Sequence, residues 1–219
     1  MNRLKIRLFS CLVGAVLIAL LLAPAVAQAA AWSVVASPNA TPGNNELHAV
    51  ASISANDVWA VGDTNQQTLT EHWNGTAWSA VASPNASSND ALLGVAAVST
   101  TDVWAVGKVN TATPPLIEHW NGTNWRLVKA PRQVGFLNGV TAVSASDVWA
   151  VGEFINASNV NQTLIEHWNG HKWSVVPSPN VGTHNNELFG VTAVSATGVW
   201  AVGFFNAGFF NQTLTEFNP

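Results

Sequence analysis

Short runs rich in Val, Thr, Ile and Trp recur along the chain, and polar turn residues separate them. Such residues pack well on a pleated surface, and no intervening segment has the periodicity of an amphipathic helix. Val-Trp-Ala-Val-Gly occurs four times, at Trp-to-Trp spacings of 45, 45 and 51, around Trp59, Trp104, Trp149 and Trp200. Glu-His-Trp-Asn-Gly begins at Glu71, Glu118 and Glu166. The pattern predicts an all-β protein.

Each repeat contains four predicted strands, named A to D here. Strand A is a Leu-x-Gly-Val-Thr-Ala-Val-Ser run, B is Val-Trp-Ala-Val-Gly, and C is Thr-Leu-Ile-Glu-His-Trp. Strand D resembles Trp-Ser-Val-Val and begins at Trp32, Trp78, Trp125 and Trp173. Repeated four-stranded units predict the antiparallel blades of a β-propeller. The repeats cover approximately residues 43–82, 88–129, 136–177 and 187–217.

The Asn-Gly pair between strands C and D predicts a two-residue hairpin turn with both residues at positive φ. This register would place Glu166 opposite Trp173, and Trp168 on the same face. A buried carboxylate needs hydrogen-bond donors and an indole N–H needs an acceptor. We therefore expect these glutamates to accept hydrogen bonds from Trp or backbone N–H groups. The repeated tryptophans and glutamates are interpreted as structural.

The two ends of the repeat region complement each other. Residues 32–36 form a D strand with no A to C before it, and the last repeat stops after its C strand. Pairing the two would complete a four-bladed ring without an open sheet edge. The prediction is a closed four-bladed monomer whose last blade is completed by the N-terminal strand. A fragment of a larger propeller, or a ring completed by several chains, is the alternative.

The repeats resemble those of secreted bacterial propeller proteins with Val-Trp-Ala-Val-Gly and His-Trp-Asn-Gly-Thr-x-Trp units. The second motif is also distantly similar to the Asp-box hairpin of sialidase-type propellers, and the repeat to kelch-type propellers. It lacks the aspartate of the Asp box, and Trp73, Trp120 and Trp168 precede its Asn-Gly. The resemblance implies the propeller fold and says little about activity, because related folds serve both enzymes and adhesins.

The first 29 residues have the three parts of a secretory leader. Basic residues precede an apolar run over residues 12–22, and Ala27-Gln28-Ala29 is a plausible cleavage site. A retained membrane anchor is the alternative, although the run is short for a bilayer. The predicted mature domain, residues 30–219, is then secreted or at the cell surface, with no membrane span. Its five basic and twelve acidic residues argue against a nucleic-acid partner.

Connections between strands differ in how much they vary. The A–B and C–D turns are short and nearly identical, whereas the B–C and D–A connections are longer and differ in every repeat. Variable loops on a rigid scaffold usually carry recognition. Aromatic residues suggest a binding face at this end: Phe136, Phe154, Phe204, Phe205, Phe209 and Phe210. Packing of these rings against neighbouring loops is the alternative.

A search for catalytic or metal-binding residues yields no site, and no cofactor is predicted. Adjacent Glu and His of the repeated Glu-His-Trp point to opposite faces of a strand and cannot share a metal. His48 and His184 stand alone near strand A. Asp57, Asp102 and Asp147 precede strand B and are expected to bond to turn backbone.

Three functions follow from these observations. The first is a non-catalytic extracellular scaffold that binds a glycan or a surface protein through the variable loops. The second is a structural extracellular protein without a discrete ligand. The third is a hydrolase or lyase, which an acid pair or a histidine pair converging on the channel of the propeller would support; a glycosidase would need paired carboxylates at a set separation.

Overall fold

The computed structural model describes residues 31–109 and 113–219, and the regular structure in these ranges consists of fifteen β-strands. The chain divides into residues 1–35 and 36–219, and the second unit contains every strand. The predicted leader, residues 1–29, lies outside the described residues. Within them, no helix has both the length and the apolar character needed to cross a bilayer.

The strands form four antiparallel sheets in which each strand pairs with the next along the chain. Sheet 1 contains β1 (Asn45–Ser54), β2 (Asp57–Thr64), β3 (Gln67–Trp73) and β4 (Trp78–Val81). Sheet 2 contains β5 (Ala91–Ser99), β6 (Asp102–Lys108), β7 (Leu116–Trp120) and β8 (Trp125–Leu127). Sheet 3 contains β9 (Gly135–Ser144), β10 (Asp147–Ile155), β11 (Asn161–Trp168) and β12 (Trp173–Val176). Sheet 4 contains β13 (Asn186–Ala193), β14 (Val199–Asn206) and β15 (Asn211–Asn218).

Each sheet packs face to face on the next, and the first strands β1, β5, β9 and β13 lie beside one another. Trp59 of β2 contacts Trp120 and Trp125 of sheet 2, with ring centroids 4.8 and 5.2 Å apart. Trp104 repeats this arrangement against the tryptophans of sheet 3, at 5.0 and 5.4 Å. The hydrophobic core is thus divided into layers between consecutive sheets.

The loop joining strands C and D is longer than the sequence predicted. Trp168 pairs with Trp173 and Glu166 with Val175, so four residues connect the strands instead of two. Only the glycine of the Asn-Gly pair, Gly170 in this loop, has positive φ. The asparagine instead accepts backbone N–H bonds from the following residues with its side chain, as an Asx turn does. The register differs by two residues, so the predicted faces of the strands are unchanged.

The predicted closure of the last blade is not present. Sheet 4 has three strands, residues 32–36 belong to no strand, and β1 lacks the packing on β13 that joins other consecutive first strands. In sheets 1 to 3, strand D follows strand C through a local loop. Pairing residues 32–36 with β15 would instead close a loop across all four sheets, which costs more loop-closure entropy than a local hairpin.

The repeated glutamates are buried, but their hydrogen bonds differ from the expectation. Glu118 and Glu166 have no hydrogen-bond partner for either carboxyl oxygen among the described residues. Glu71 and Glu216 instead accept from the hydroxyls of Ser37 and Ser178. Four buried indole N–H groups are also unpartnered there: Trp59, Trp104, Trp125 and Trp173. The indole of Trp149 donates to Asp147 Oδ1 instead. The expected hydrogen bonds from Trp N–H groups to these carboxyls are therefore not found among the described residues.

Candidate functional site

Strand A of every sheet carries a β-bulge near its start. One extra residue stands opposite strand B in each sheet: His48, Leu93, Asn138 and Phe189. Opposite the bulge lies the glycine that ends Val-Trp-Ala-Val-Gly. A Cβ on Gly62 would overlap the carbonyl oxygen of Glu46, and Gly107 has the same relation to Ala91. The glycine therefore admits the bulge, which redirects a side chain away from the regular ladder.

The side chain of the residue after this glycine contacts the bulge residue in sheets 1, 3 and 4, and the two residues differ from sheet to sheet. In sheet 1, His48 Nε2 lies 2.9 Å from Asp63 Oδ1. In sheet 3, Asn138 Nδ2 donates to Glu153 Oε2 at 2.6 Å. Sheet 2 has Leu93 and Lys108 here, and sheet 4 has an aromatic pair, Phe189 and Phe204, with ring centroids 5.8 Å apart. One backbone position thus carries four different chemistries.

Two of these pairs line a pocket of about 360 Å³ at the junction of sheets 2 and 3. Its walls are Asn89, Leu93, Lys108, Val109, Phe136, Asn138 and Glu153. A second hollow of about 290 Å³ lies beside sheet 1 and is lined by Asn44, Glu46, Asp63, Asn65 and Gln66. Both lie at the end of the sheets that carries the B–C and D–A connections. We call this the variable end, and the opposite end the repeated end.

The pKa of Glu153 is raised to about 7, chiefly by burial and to a smaller extent by the nearby carboxylate of Glu187. The hydrogen bond from Asn138 and the ammonium of Lys108 act in the opposite direction. The carboxyl of Glu153 therefore changes protonation near neutral pH. In one pocket it can either accept or donate a hydrogen bond.

Hydrogen bonds hold the polar groups of this pocket in place. Asn138 Nδ2 also donates to the carbonyl of Leu188, at 2.9 Å, and so ties sheet 3 to sheet 4. Glu187 accepts from Asn161 Nδ2 at 2.7 Å. Together with the ring of Phe136 and the ammonium of Lys108, the pocket presents an apolar face, donors and acceptors. This combination suits a small, hydroxyl-rich ligand group.

The six predicted binding aromatics occupy different environments. Phe209 and Phe210 are exposed in the β14–β15 loop. Phe204 pairs with Phe189, and Phe136 lines the pocket. The remaining two, Phe154 and Phe205, pack against the layers of core. The six therefore do not form one aromatic surface.

The repeated histidines make a different contact at the repeated end. His119 Nε2 lies 2.7 Å from Asp102 Oδ1, and its ring stacks on Trp104 with centroids 4.2 Å apart. The first and third sheets repeat this arrangement with the pairs His72–Asp57 and His167–Asp147. The prediction that these aspartates bond to turn backbone therefore misses their histidine partners. No three His, Cys, Asp or Glu side chains in the described ranges are grouped as metal ligands.

Sequence reasoning missed the bulge pairs because strand A was treated as a regular run. The sequence does contain a signal for the bulge. Each strand A has one residue more than regular pairing with strand B requires, and the extra residue lies opposite a glycine within strand B. Aligning the repeats also shows His48, Leu93, Asn138 and Phe189 as four unlike residues amid near-identical neighbours. The other singled-out histidine, His184, lies in the exposed connection between sheets 3 and 4.

No protein-family model matches the chain, and no curated protein matches it. Solved structures similar to it include YCF48 bound to D1 peptide, with 17% identity, a TM-score of 0.49, and coverage of 78% of this chain and 53% of that one. YCF48 from Cyanidioschyzon merolae has 16% identity and a TM-score of 0.49, with coverage of 80% and 57%. The chain spans little more than half the length of either structure.

Proposed function

We propose that this protein is a non-catalytic, exported β-propeller that binds a carbohydrate through its variable end. The observation that carries the proposal is the set of bulge pairs. Four copies of a repeated scaffold differ at the same two positions, and two of these pairs line one pocket. Stability alone gives no reason for four chemistries at one backbone position, whereas recognition does.

The pocket between sheets 2 and 3 favours a carbohydrate over other ligands. Its volume of about 360 Å³ matches the size of a small-ligand site. The ring of Phe136 offers an apolar face to the C–H side of a sugar, while Asn138 and Glu153 offer paired donors and acceptors to hydroxyls. A surface protein is the other partner class consistent with the exposed Phe209 and Phe210.

The cellular setting belongs to the same proposal. The basic, apolar and small-residue segments of residues 1–29 support export, which places the binding domain outside the cytoplasm. The four sheets act as propeller blades, each packed on the next.

A glycan array probed with the full chain tests the proposal, with Lys108→Ala and Asn138→Ala as the pocket variants. The matched control is Lys172→Ala, which removes the same charge at the repeated end. We expect the two pocket variants to weaken binding at least tenfold, about 1.4 kcal/mol, and the control to change it less than about twofold. Binding of no glycan would overturn the carbohydrate proposal. If a surface protein binds instead, and the two pocket variants weaken that binding while the control does not, the ligand is a protein and the proposed binding site is retained.

A hydrolase is the second candidate, because one arrangement at the variable end resembles a pair of catalytic acids. Glu153, with a pKa of about 7, lies near Glu187. The carboxylate of Glu187 accepts a hydrogen bond from Asn161 Nδ2. Glycosidases use two carboxyl groups with separated pKa values. Release of reducing ends from a bound glycan, abolished by Glu153→Gln, would establish this candidate. Binding without release would exclude it for that glycan.

A further inference from the structure

The two end faces of the row of sheets expose positions that are buried everywhere else. Trp200 of β14 is 47% exposed, whereas the equivalent Trp59 and Trp104 are 2% exposed. Val202 is 48% exposed, and its counterparts in the other three sheets are fully buried. At the other end Leu47 of β1 is 45% exposed, although Leu92 and its later counterparts are completely buried. The exposed positions are therefore the two halves of the interface that joins consecutive sheets.

The internal interfaces show how these halves fit. Val61 packs in one core layer with Leu92 and Trp125 of the next sheet. Val106 and Leu137 repeat the contact between sheets 2 and 3. On sheet 4, Val202 and Trp200 are equivalent to Val61 and Trp59, so they form the first half of such an interface. On sheet 1, Leu47, Trp73 and Trp78 are equivalent to Leu92, Trp120 and Trp125, so they form the second half.

A slot at the edge of sheet 4 lacks its filling side chain. It has a volume of about 370 Å³, and Trp149, Leu214, Glu216 and Phe217 are among its walls. In the preceding layers the strand-D tryptophan stands against the equivalent of Trp149, as Trp173 does against Trp104 with centroids 5.4 Å apart. In the part of the chain that the structure describes, sheet 4 contains three strands, β13 to β15. The slot is therefore shaped for a Trp-led strand pairing with β15.

We propose that a second copy of this chain occupies both surfaces, head to tail. Sheet 1 of the second copy packs on Trp200 and Val202, and its residues 32–35 add the missing strand, with Trp32 in the slot. In each repeat, strand D leads directly into strand A of the following sheet. One docking event therefore supplies both parts. Trp32 is fully exposed.

Two copies related in this way close into a ring of eight sheets in which each end face is used once. The contact is heterologous, and a two-fold rotation closes it. Eight blades lie within the known range of propellers. A second copy is favoured over closure within one chain because the three internal interfaces are already densely packed with β13 apart from β1. Bringing β13 and β1 into contact within one chain would require consecutive sheets to rotate relative to each other, and this rotation would open each of the three internal interfaces on one side.

Sedimentation velocity of the full chain over a range of concentrations tests the assembly. We expect a species of twice the chain mass, and Trp200→Ser or Trp32→Ser should raise its dissociation constant at least tenfold, about 1.4 kcal/mol. Both residues are exposed in the single chain, so circular dichroism should show unchanged folding. The control, Phe209→Ser, removes an exposed ring at the variable end and should leave the dimer intact. A monomer at every concentration, or a dimer indifferent to Trp200→Ser, would overturn the proposal.

Disulfide cross-linking separates the second copy from closure within one chain. Leu47→Cys and Val202→Cys are prepared as separate proteins in a Cys11→Ser background and then mixed. A mixed disulfide that forms only in the mixture is the expected result. A double variant that cross-links within single chains at high dilution, with no mixed product, would refute the dimer. Glycan binding is measured at the other surface, so its failure would leave this result unaffected.

Discussion

The two ends of the sheets use one backbone in opposite ways. At the repeated end, Trp73, Trp120 and Trp168 each donate to a carbonyl of the preceding A–B turn, at 3.1–3.2 Å. Three histidine–aspartate pairs there have nearly the same geometry. At the variable end, the bulge pairs share position but not chemistry. The comparison teaches that the repeated end maintains the fold, while the variable end is free to hold ligand-specific groups.

The largest expected effect comes from truncating a scaffold ring. Trp104→Ala removes a buried indole that packs between sheets 2 and 3, and should lower the free energy of unfolding by about 3–5 kcal/mol. Phe209→Ala, at the exposed variable end, should change it by less than about 0.5 kcal/mol. Urea unfolding of both variants measures the difference. Equal losses would show that the two ends do not divide stability from recognition.

The next effect is a pH dependence that resides in the scaffold. Burial, with a smaller contribution from the carboxylate of Asp90, raises the pKa of Glu118 to about 8, and burial alone raises the pKa of Glu166 to about 8. The folded state therefore keeps protons that the unfolded state has lost. Stability should fall as pH rises from about 4.5 to about 8, by at most about 1.4 kcal/mol per pH unit for each carboxyl, and then level off.

Replacement by glutamine isolates these two groups. Glu118→Gln and Glu166→Gln should flatten the slope and raise the melting temperature at pH 8.5, because a neutral amide replaces a buried charge. The matched control is Glu71→Gln, because the Glu71 carboxylate already accepts a hydrogen bond from the Ser37 hydroxyl, so the same replacement should raise the melting temperature less. Thermal melts from pH 5 to 9 measure all three. Stability that rises with pH in the unmodified chain would contradict the assignment.

A smaller effect concerns the partner of Glu166. A serine before proline donates to the glutamate of the following sheet in two of its three occurrences, from Ser37 to Glu71 and from Ser178 to Glu216. The third, Ser83, bonds to the Thr68 hydroxyl instead of to Glu118. Ala130 stands at the equivalent position before Glu166. Ala130→Ser should supply the missing donor, lower the pKa of Glu166, and stabilise the protein by about 1 kcal/mol at pH 9. At pH 5 the gain should shrink, and an equal gain at both pH values would argue against this contact.

Much of the fold could be predicted from the sequence because the motif recurs. Four copies of Val-Trp-Ala-Val-Gly fix the strand order, and alternating burial fixes which face each tryptophan occupies. The hairpin length could not be predicted, since Asn-Gly serves both a two-residue turn and the four-residue Asx turn around Asn169. The closure was also beyond the sequence, because two complementary ends can meet within one chain or between two.

The candidate site was predicted only in its location. Loop variability pointed to the variable end, and Phe136 does line the pocket there. The polar residues of the pocket, Asn138 and Glu153, lie in strands β9 and β10. The prediction from loop variability therefore did not include them. Their pairing depends on a bulge, and the protonation of Glu153 depends on burial between two sheets. Neither property can be read from one repeat considered alone.

The central claim is that the variable end is the binding surface. Hydrogen–deuterium exchange of the full chain, with and without a saturating glycan selected on the array, tests it most directly. We predict protection concentrated in the peptides around Leu93, Lys108, Asn138 and Glu153, with exchange unchanged in the loops that hold Asn74, Asn121 and Asn169. Protection confined to the repeated-end loops would contradict the account.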